Sequence, residues 1–475
     1  MDMSATEFKR NMEEVTERIG AFLEHPSNWR VFPEVAPGDV RAQLPPNAPA
    51  EGEPFERILA DFDRIIMPAM THWNHPGFMA YFSTSGSAAG IIAETLIAML
   101  NVNAMLWRSS PAATELEEVT LAWLRDLISL PRDFDGVIND TASTSTLYAL
   151  AAAREMLVDL RIREEGLAGR PEVPRLAVYC SEEAHSSVDK AVVTLGLGMS
   201  GVRRISADDD YRMDVAALRL AIAEDRKRGV RPMAVVATVG TTSTTAVDPV
   251  SEIADVCAEE GVWLHIDAAY AGTAAMLPEL KHIMNGCERA HSLVVNPHKW
   301  MFVPLDCSVL YSLRPDLVKR AFSLIPDYLI TAEDASARNL MDYGVALGRR
   351  FRALKLWFVM RYYGSNAIVA VLREHIRLAQ EFGSWVDADS RFERLAPIPF
   401  SAVVFRYKPP GSDEAALEKA NARIMDAVNA TGEVFISQTR AKGRYALRVA
   451  LGNLRTGETE VRRAWDLIRT AAETS

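Results

Sequence analysis

Four groups of residues have the types and the spacing to do chemistry together. In VWLHIDAAYAG, Asp267 closes an apolar run that reads as a β-strand. A carboxylate there costs several kcal/mol to bury unless a cation or hydrogen-bond donors face it. The next such run ends in NPHKW and puts Lys299 at the corresponding strand end. Because the carboxyl ends of parallel strands form a ligand crevice, the acid and the amine can face one pocket. His185, in EEAHSSVDK after the run RLAVYC, falls at the same edge. The fourth group is DTASTST (140–146), lying between the run GVI and the helical LYALAAAREML, with hydroxyls at Thr141, Ser143, Thr144, Ser145 and Thr146. One hydroxyl suffices to cap a helix. A helix start also exposes free N–H groups at the positive end of its dipole, so the surplus hydroxyls suit a bound phosphate.

Each group alone has a plainer reading: a helix cap, a buried structural ion pair, a packing histidine. Together they supply a phosphate cradle, a buried acid to keep a pyridinium nitrogen charged, an amine for a Schiff base and an imidazole for stacking. That conjunction describes a pyridoxal phosphate site. Two other signals carry less. Gly196, Gly198 and Gly201 in GLGMSG match GxGxxG, but a helical stretch precedes them and a strand follows, the reverse of a dinucleotide site. His72 and His75 are spaced HxxH without a third ligand nearby, so no metal is expected.

The elements that must position these groups are legible. Short β-branched runs at 136–138, 175–180, 202–205, 233–238, 262–266, 292–296 and 307–313 alternate with helical stretches. Such alternation predicts a seven-stranded, mostly parallel α/β sheet covered by helices on both faces. Before it, TELEEVTLAWLRDLISL predicts a helix with Leu116, Val119, Trp123, Leu124, Leu127 and Leu130 on one stripe and Thr114 with Glu117 as a capping box. The proline-rich VFPEVAPGDVRAQLPPNAPAEGEPF excludes regular helix and central sheet, so residues 1–87 form an opening segment that wraps something. Residues 88–360 form the large domain, and 361–475 a smaller C-terminal α+β domain.

The chain of 475 residues has 49% apolar and 24% charged residues, a globular composition. Its 52 Lys and Arg against 63 Asp and Glu give a net charge of −11, which disfavours nucleic acid and acidic membrane surfaces. Cys180, Cys257, Cys287 and Cys307 have neither CxxC spacing nor disulfide-framework density, and the charged start lacks a signal peptide's apolar stretch. No apolar run approaches 18 residues. A cytoplasmic protein is expected.

NPHKW, HIDAAYAG, AHSSVDKA, DTASTST and LGRRFRALKLWF resemble the aromatic L-amino acid decarboxylases, group II of the pyridoxal phosphate decarboxylases. The likeness runs nearly end to end, through IIMPAMTHW, AYFSTSGS, SSPAATELE, VFISQTR and ALRVALGN. It implies fold type I, the PLP-dependent transferase-like fold, and a homodimer with active sites at the subunit interface and the opening segment exchanged across it. Carried over residue by residue, Lys299 looks like the Schiff-base lysine and Asp267 like the partner of the pyridine nitrogen. Ala142 and Ser143 match the phosphate loop, joined by Asn296; Thr242 and His298 match cofactor contacts. His185 resembles the ring-stacking residue that also meets the substrate carboxylate, with Ala269 on the other ring face. Thr84, beside Tyr81 and Phe82, resembles a wall from the partner chain that receives the aromatic side chain. Tyr328 matches the tyrosine of a catalytic loop that reprotonates Cα, with the polar TAEDASARN as part of a lid.

The resemblance implies decarboxylation of an aromatic L-amino acid to its arylalkylamine and CO₂. The nearest rival is a relative that makes aldehydes with O₂, an outcome that accompanies loss of the loop tyrosine or the stacking histidine; both Tyr328 and His185 are present. An aminotransferase and a catalytically silent dimeric scaffold are further alternatives. Met105 stands where many relatives carry an aromatic residue and Ser83 where many carry proline, while Gly348 is the small residue that in plant relatives accompanies indole substrates. Tryptophan leads the expected substrates, with DOPA, tyrosine and phenylalanine behind.

Overall fold

The computed structural model describes residues 2–324, 333 and 337–474. Its larger sheet takes all seven expected runs: β1 (Asp135–Asn139), β2 (Leu176–Ser181), β3 (Val202–Ile205), β4 (Arg231–Thr238), β5 (Trp263–Asp267), β6 (Ser292–Val295) and β7 (Ser308–Ser312). Their spatial order is β1-β7-β6-β5-β4-β2-β3. Pairings β2–β3, β2–β4, β4–β5 and β5–β6 are parallel, and β7 alone runs antiparallel, to β1 and to β6. This is the fold type I α/β architecture. Apart from the edge strand β3, the strands are buried along nearly their whole length, as expected where helices cover both faces. The helix Ala142–Glu155 is the central cover. Its Leu150, Ala149, Ala152 and Ala153 pack with Val178, Val236, Trp263 and Leu310 from the sheet, and the small side chains let it lie close.

Two compact units make up the chain: residues 84–380 with 396–403, and residues 1–83 with 381–395 and 404–475. The first holds the seven-stranded sheet. In the second lie the helix Ala5–Glu24, most of a four-stranded sheet ordered β10-β11-β9-β8, and the helices Glu414–Ala430 and Glu458–Glu473. These four strands are β8 (Phe392–Arg394), β9 (Ala402–Tyr407), β10 (Ser437–Ala441) and β11 (Arg444–Ala450). The opening segment is tied into this unit by backbone bonds: Val31 N–H to Gly432 O, 2.7 Å, and Met79 N–H to Phe435 O, 2.9 Å. Val31, Phe78, Ala80 and Phe435 form its local core.

Two local expectations are corrected. The helix after residue 110 begins at Pro111 with Ser110 as N-cap, so Thr114 lies inside it and its hydroxyl donates to Ser110 O, 3.3 Å, rather than capping. The buried face is Ala113, Thr114, Glu117, Thr120, Leu121 and Leu124, whereas Val119 and Trp123 are exposed. Apolar periodicity missed this because the face is set by an acid, Glu117, whose burial is compensated from other elements. The proline-rich stretch, expected to hold no regular helix, admits a short one at Asp39–Gln43, a run free of proline. GLGMSG turns from the helix Ser187–Thr194 into β3, with Gly196 and Gly198 at positive φ.

Candidate active site

Parallel strands bring their carboxyl ends to one edge, and the chemistry-bearing residues gather there because each follows such an end. Asp267 is the last residue of β5 and only 7% exposed. Its Oδ1 accepts the Ala269 N–H at 3.1 Å, and Ala269 O accepts the Asn296 N–H at 3.1 Å, which joins the β5 exit to the β6 exit. Lys299, half-buried, sits in the turn of helix Pro297–Trp300 directly after β6, its N–H bonded to Asn296 O at 3.0 Å. This turn rests on an aromatic floor. Trp300 stacks on Tyr270 with centroids 4.8 Å apart and donates its indole N–H to His375 Nδ1 at 3.0 Å.

His185 follows β2 and feels both Asp267 and Lys299. Burial is the largest influence and lowers its pKa; Asp267 raises it and Lys299 lowers it. As a residue, His185 is exposed. The Ser187 N–H donates to its Nδ1 at 3.1 Å, so the neutral ring carries its proton on Nε2. His298 is fixed likewise: Cys307 N–H donates to Nδ1 at 2.9 Å, and burial pushes the ring down to about 3, leaving a neutral Nε2–H donor.

At the β1 exit, Thr141 is the N-cap of helix Ala142–Glu155, its Oγ1 accepting the Thr144 N–H at 3.4 Å. Ala142 and Ser143 therefore occupy the first helical turn, where N–H groups have no intrahelical acceptor. Ser145, counted among the surplus hydroxyls, is used internally: Oγ is 3.1 Å from both Asn139 Nδ2 and Ser308 Oγ. Thr242 lies exposed in the loop after β4. Thr238, at the end of β4, registers opposite Asp267.

Several side-chain atoms buried at this edge have no protein hydrogen-bond partner: Thr146 Oγ1, Ser187 Oγ, Thr238 Oγ1, His265 Nε2 and Asn296 Oδ1. They lie on the elements that carry the site, where polar atoms of a bound group would compensate their burial. Free N–H groups at the helix start, a buried acid, and an amine that acts on the same histidine as that acid suit the charges of pyridoxal phosphate, so the residues fit that group. His265 was not anticipated from the sequence. It stands two residues before Asp267 and so on the same strand face, fully buried, with Nδ1 2.9 Å from Ser292 Oγ. That serine also accepts the Trp263 indole N–H at 2.9 Å. The HID spacing was the available signal.

Other sequence-derived residues fall elsewhere. Met105 and Gly348 meet through Asn103, whose Nδ2 is 3.3 Å from Met105 Sδ and would lie 3.8 Å from a Cβ at position 348. Thr84 precedes Ser87, whose N–H donates to Phe302 O at 2.9 Å, close after the lysine turn. Tyr81 and Phe82 belong to the other compact unit. Tyr81 has φ +52° and is exposed, and the Arg448 guanidinium lies 4.5 Å over the Phe82 ring. Tyr328 and most of TAEDASARN lie outside the described residues. His72 Nε2 is 3.0 Å from Met67 O and His75 Nδ1 accepts the Gly77 N–H at 2.9 Å. Among the described residues no group of three or more His, Cys, Asp or Glu could hold a metal ion.

A family model described as the pyridoxal-dependent decarboxylase conserved domain matches residues 37–408. The chain is similar to tryptophan decarboxylase TDC1 of Camptotheca acuminata, with 39% identity covering 98% of this chain and 94% of that protein. It is 38% identical to the aromatic-L-amino-acid decarboxylase of Sus scrofa, covering 98% and 96%. Among solved structures it is similar to Oryza sativa TDC with PLP and tryptamine, at TM-score 0.95 and 34% identity, covering 100% and 99%.

Proposed function

Because the chain belongs to the pyridoxal-dependent decarboxylase family, whose members are pyridoxal phosphate-dependent lyases, we propose that it decarboxylates an aromatic L-amino acid to the arylalkylamine and CO₂. The observation that carries the reading is the meeting of Asp267, Lys299 and His185 in one electrostatic neighbourhood at the carboxyl edge of the sheet.

Bound pyridoxal phosphate supplies an electron sink for the pair released when the bond from Cα to the carboxylate breaks. Lys299 would hold its aldehyde carbon, the helix start at Ala142 and Ser143 with Asn296 its phosphate, and Thr242, Ala269 and His298 its remaining faces. Asp267 would hold a proton on the pyridine nitrogen, a preorganised charge that needs no rearrangement as the reaction proceeds. His185, with its Nε2–H fixed as a donor, would stack on the cofactor and orient the substrate carboxylate. Tyr328 returns a proton to Cα. Exclusion of water and oxygen during the reaction would favour amine over aldehyde.

The working form in this proposal is a homodimer with the segment 1–87 exchanged, so that Tyr81, Phe82 and Thr84 complete the partner's ring pocket beside Met105 and Gly348. The division into 1–87, 88–360 and 361–475 belongs to the same reading. In support, helix Ala88–Leu100 presents Ile92, Met99 and Leu100 exposed, an apolar face of the kind that a subunit covers. A cytoplasmic location suits the four cysteines, all free and buried. Among the described residues no helix is long and apolar enough to cross a membrane.

The test is a panel of tryptophan, DOPA, tyrosine, phenylalanine and glutamate assayed together for CO₂, amine, aldehyde and peroxide. CO₂ and amine in equal amounts from aromatic members are expected, with Lys299→Ala colourless and inactive. Aldehyde with peroxide as the main product, or faster CO₂ release from glutamate, would overturn the proposal.

A further inference from the structure

We infer that Asn103 reads the substrate ring and favours one that carries a hydroxyl group. This deepens the function proposed above and rests on its assignment of Met105 and Gly348 to the ring pocket. The two residues come from separate segments, and the side chain they share is the Asn103 amide. Its Nδ2 lies 3.3 Å from Met105 Sδ. A Cβ placed on residue 348 would meet that same nitrogen at 3.8 Å and nothing else within 4 Å, so the space beside Gly348 is bounded by the amide.

The orientation of the amide follows from its partners. Oδ1 accepts the Arg349 N–H at 2.9 Å, which makes the other terminus the NH₂ group. The reverse assignment would set two donors against each other. The segment carrying the amide is also held firmly. Ala104 N–H donates to Arg349 O at 2.9 Å, the hydroxyls of Ser109 and Ser110 donate to Asn103 O, and Arg349 is locked by the buried Glu117. Asn103 therefore presents a fixed donor, and a thioether is a weak acceptor that leaves most of its capacity unspent.

A donor discriminates by what it meets. The oxygen of a phenol, a catechol or a hydroxyindole accepts a hydrogen bond, whereas a bare phenyl ring offers no acceptor and an indole N–H offers a second donor. The open space at Gly348 gives such an oxygen room to approach Nδ2. Asn103 is thus a specificity-determining residue, separate from the groups that hold cofactor and carboxylate.

The test compares kcat/KM of the holoenzyme within two pairs, tyrosine against phenylalanine and 5-hydroxytryptophan against tryptophan. In the native enzyme the hydroxylated member should lead in both pairs. Asn103→Leu, of similar size without a donor, should cut that preference by about tenfold, the discrimination one neutral hydrogen bond supplies. Asn103→Ala removes the amide altogether, so it should lower the preference too. Calorimetric binding of tyramine against phenethylamine to the same variants reads the contact without turnover and should show the same loss. An unchanged ratio in both variants, or a native preference for the bare ring in both pairs, overturns this inference while leaving the decarboxylase reading intact. Absence of turnover with all four amino acids overturns that reading, and this inference with it.

Discussion

Glu117 and Arg349 form a buried ion pair, Oε1 to Nη2 at 2.9 Å, with side-chain exposures of only 2% and 8%. The same carboxylate oxygen accepts the Ile138 N–H of β1 at 2.8 Å, and Arg349 also donates to Ile138 O at 2.7 Å. One pair therefore clamps the strand that feeds the helix Ala142–Glu155 to the segment bearing Gly348. Glu117→Gln leaves the guanidinium buried without its counter-charge and should cost about 3–5 kcal/mol. Replacing both residues with Met removes the unpaired charge but takes their partners from the Ile138 N–H and O, so it should recover only part of that loss. Thermal unfolding of the single and double variants checks this; a double variant no better than the single would contradict it.

Acid should unfold the protein through its buried imidazoles. Burial holds His75, His265 and His291 down to about 4 and His298 to about 3. Between those values and an unfolded value of about 6.5 the unfolded chain binds more protons, so the stability these rings contribute is complete above pH 6.5 and is lost as pH falls through 4. Asp248 acts in the opposite sense. Wholly enclosed, and accepting N–H bonds from Met213 and Thr238 at 2.8 Å each, it is raised by burial to about 6, so its contribution is lost as pH rises through 6. Four rings against one carboxyl predict a melting temperature that falls between pH 6.5 and 4. A melting temperature that rises on acidification over that range would refute the balance.

Two glycines four residues apart should respond differently to alanine. At Gly344 a Cβ would lie 2.5 Å from the Tyr148 ring, whose hydroxyl also accepts the Val345 N–H, so Gly344→Ala should cost about 1–3 kcal/mol. At Gly348 the new methyl meets only Asn103 at ordinary contact distance. Gly348→Ala should leave the melting temperature nearly unchanged and lower kcat/KM for bicyclic more than for monocyclic substrates. Equal loss of stability in the two variants would be the contrary result.

Asp267→Asn keeps the shape of the side chain and removes its charge. Activity should fall by at least about a hundredfold, the scale on which a single preorganised electrostatic group acts. The spectrum and affinity of the bound cofactor should change with it, while the melting temperature of the cofactor-free protein stays close to that of the parent. Full activity in this variant would remove the basis for placing Asp267 at the pyridine nitrogen.

The acid, the amine and the histidine were legible because each ends or follows an apolar run, and parallel strands deliver such positions to one edge wherever they stand in the sequence. Asn103, His265 and Glu117 were not. Asn103 meets Gly348 and Arg349, more than two hundred residues away in sequence; His265 looked like part of an apolar strand; Glu117 sat on a helix whose leucines pointed to another buried face.

Local pattern, then, determined what depends on neighbours along the chain: seven strands, their covering helices, a hydroxyl-rich helix start at DTASTST and the family likeness. Only tertiary structure decided which polar groups are enclosed and which partners compensate them. The cost of burying a charge or an amide is set by atoms brought together across space, and no periodicity along the chain records those meetings.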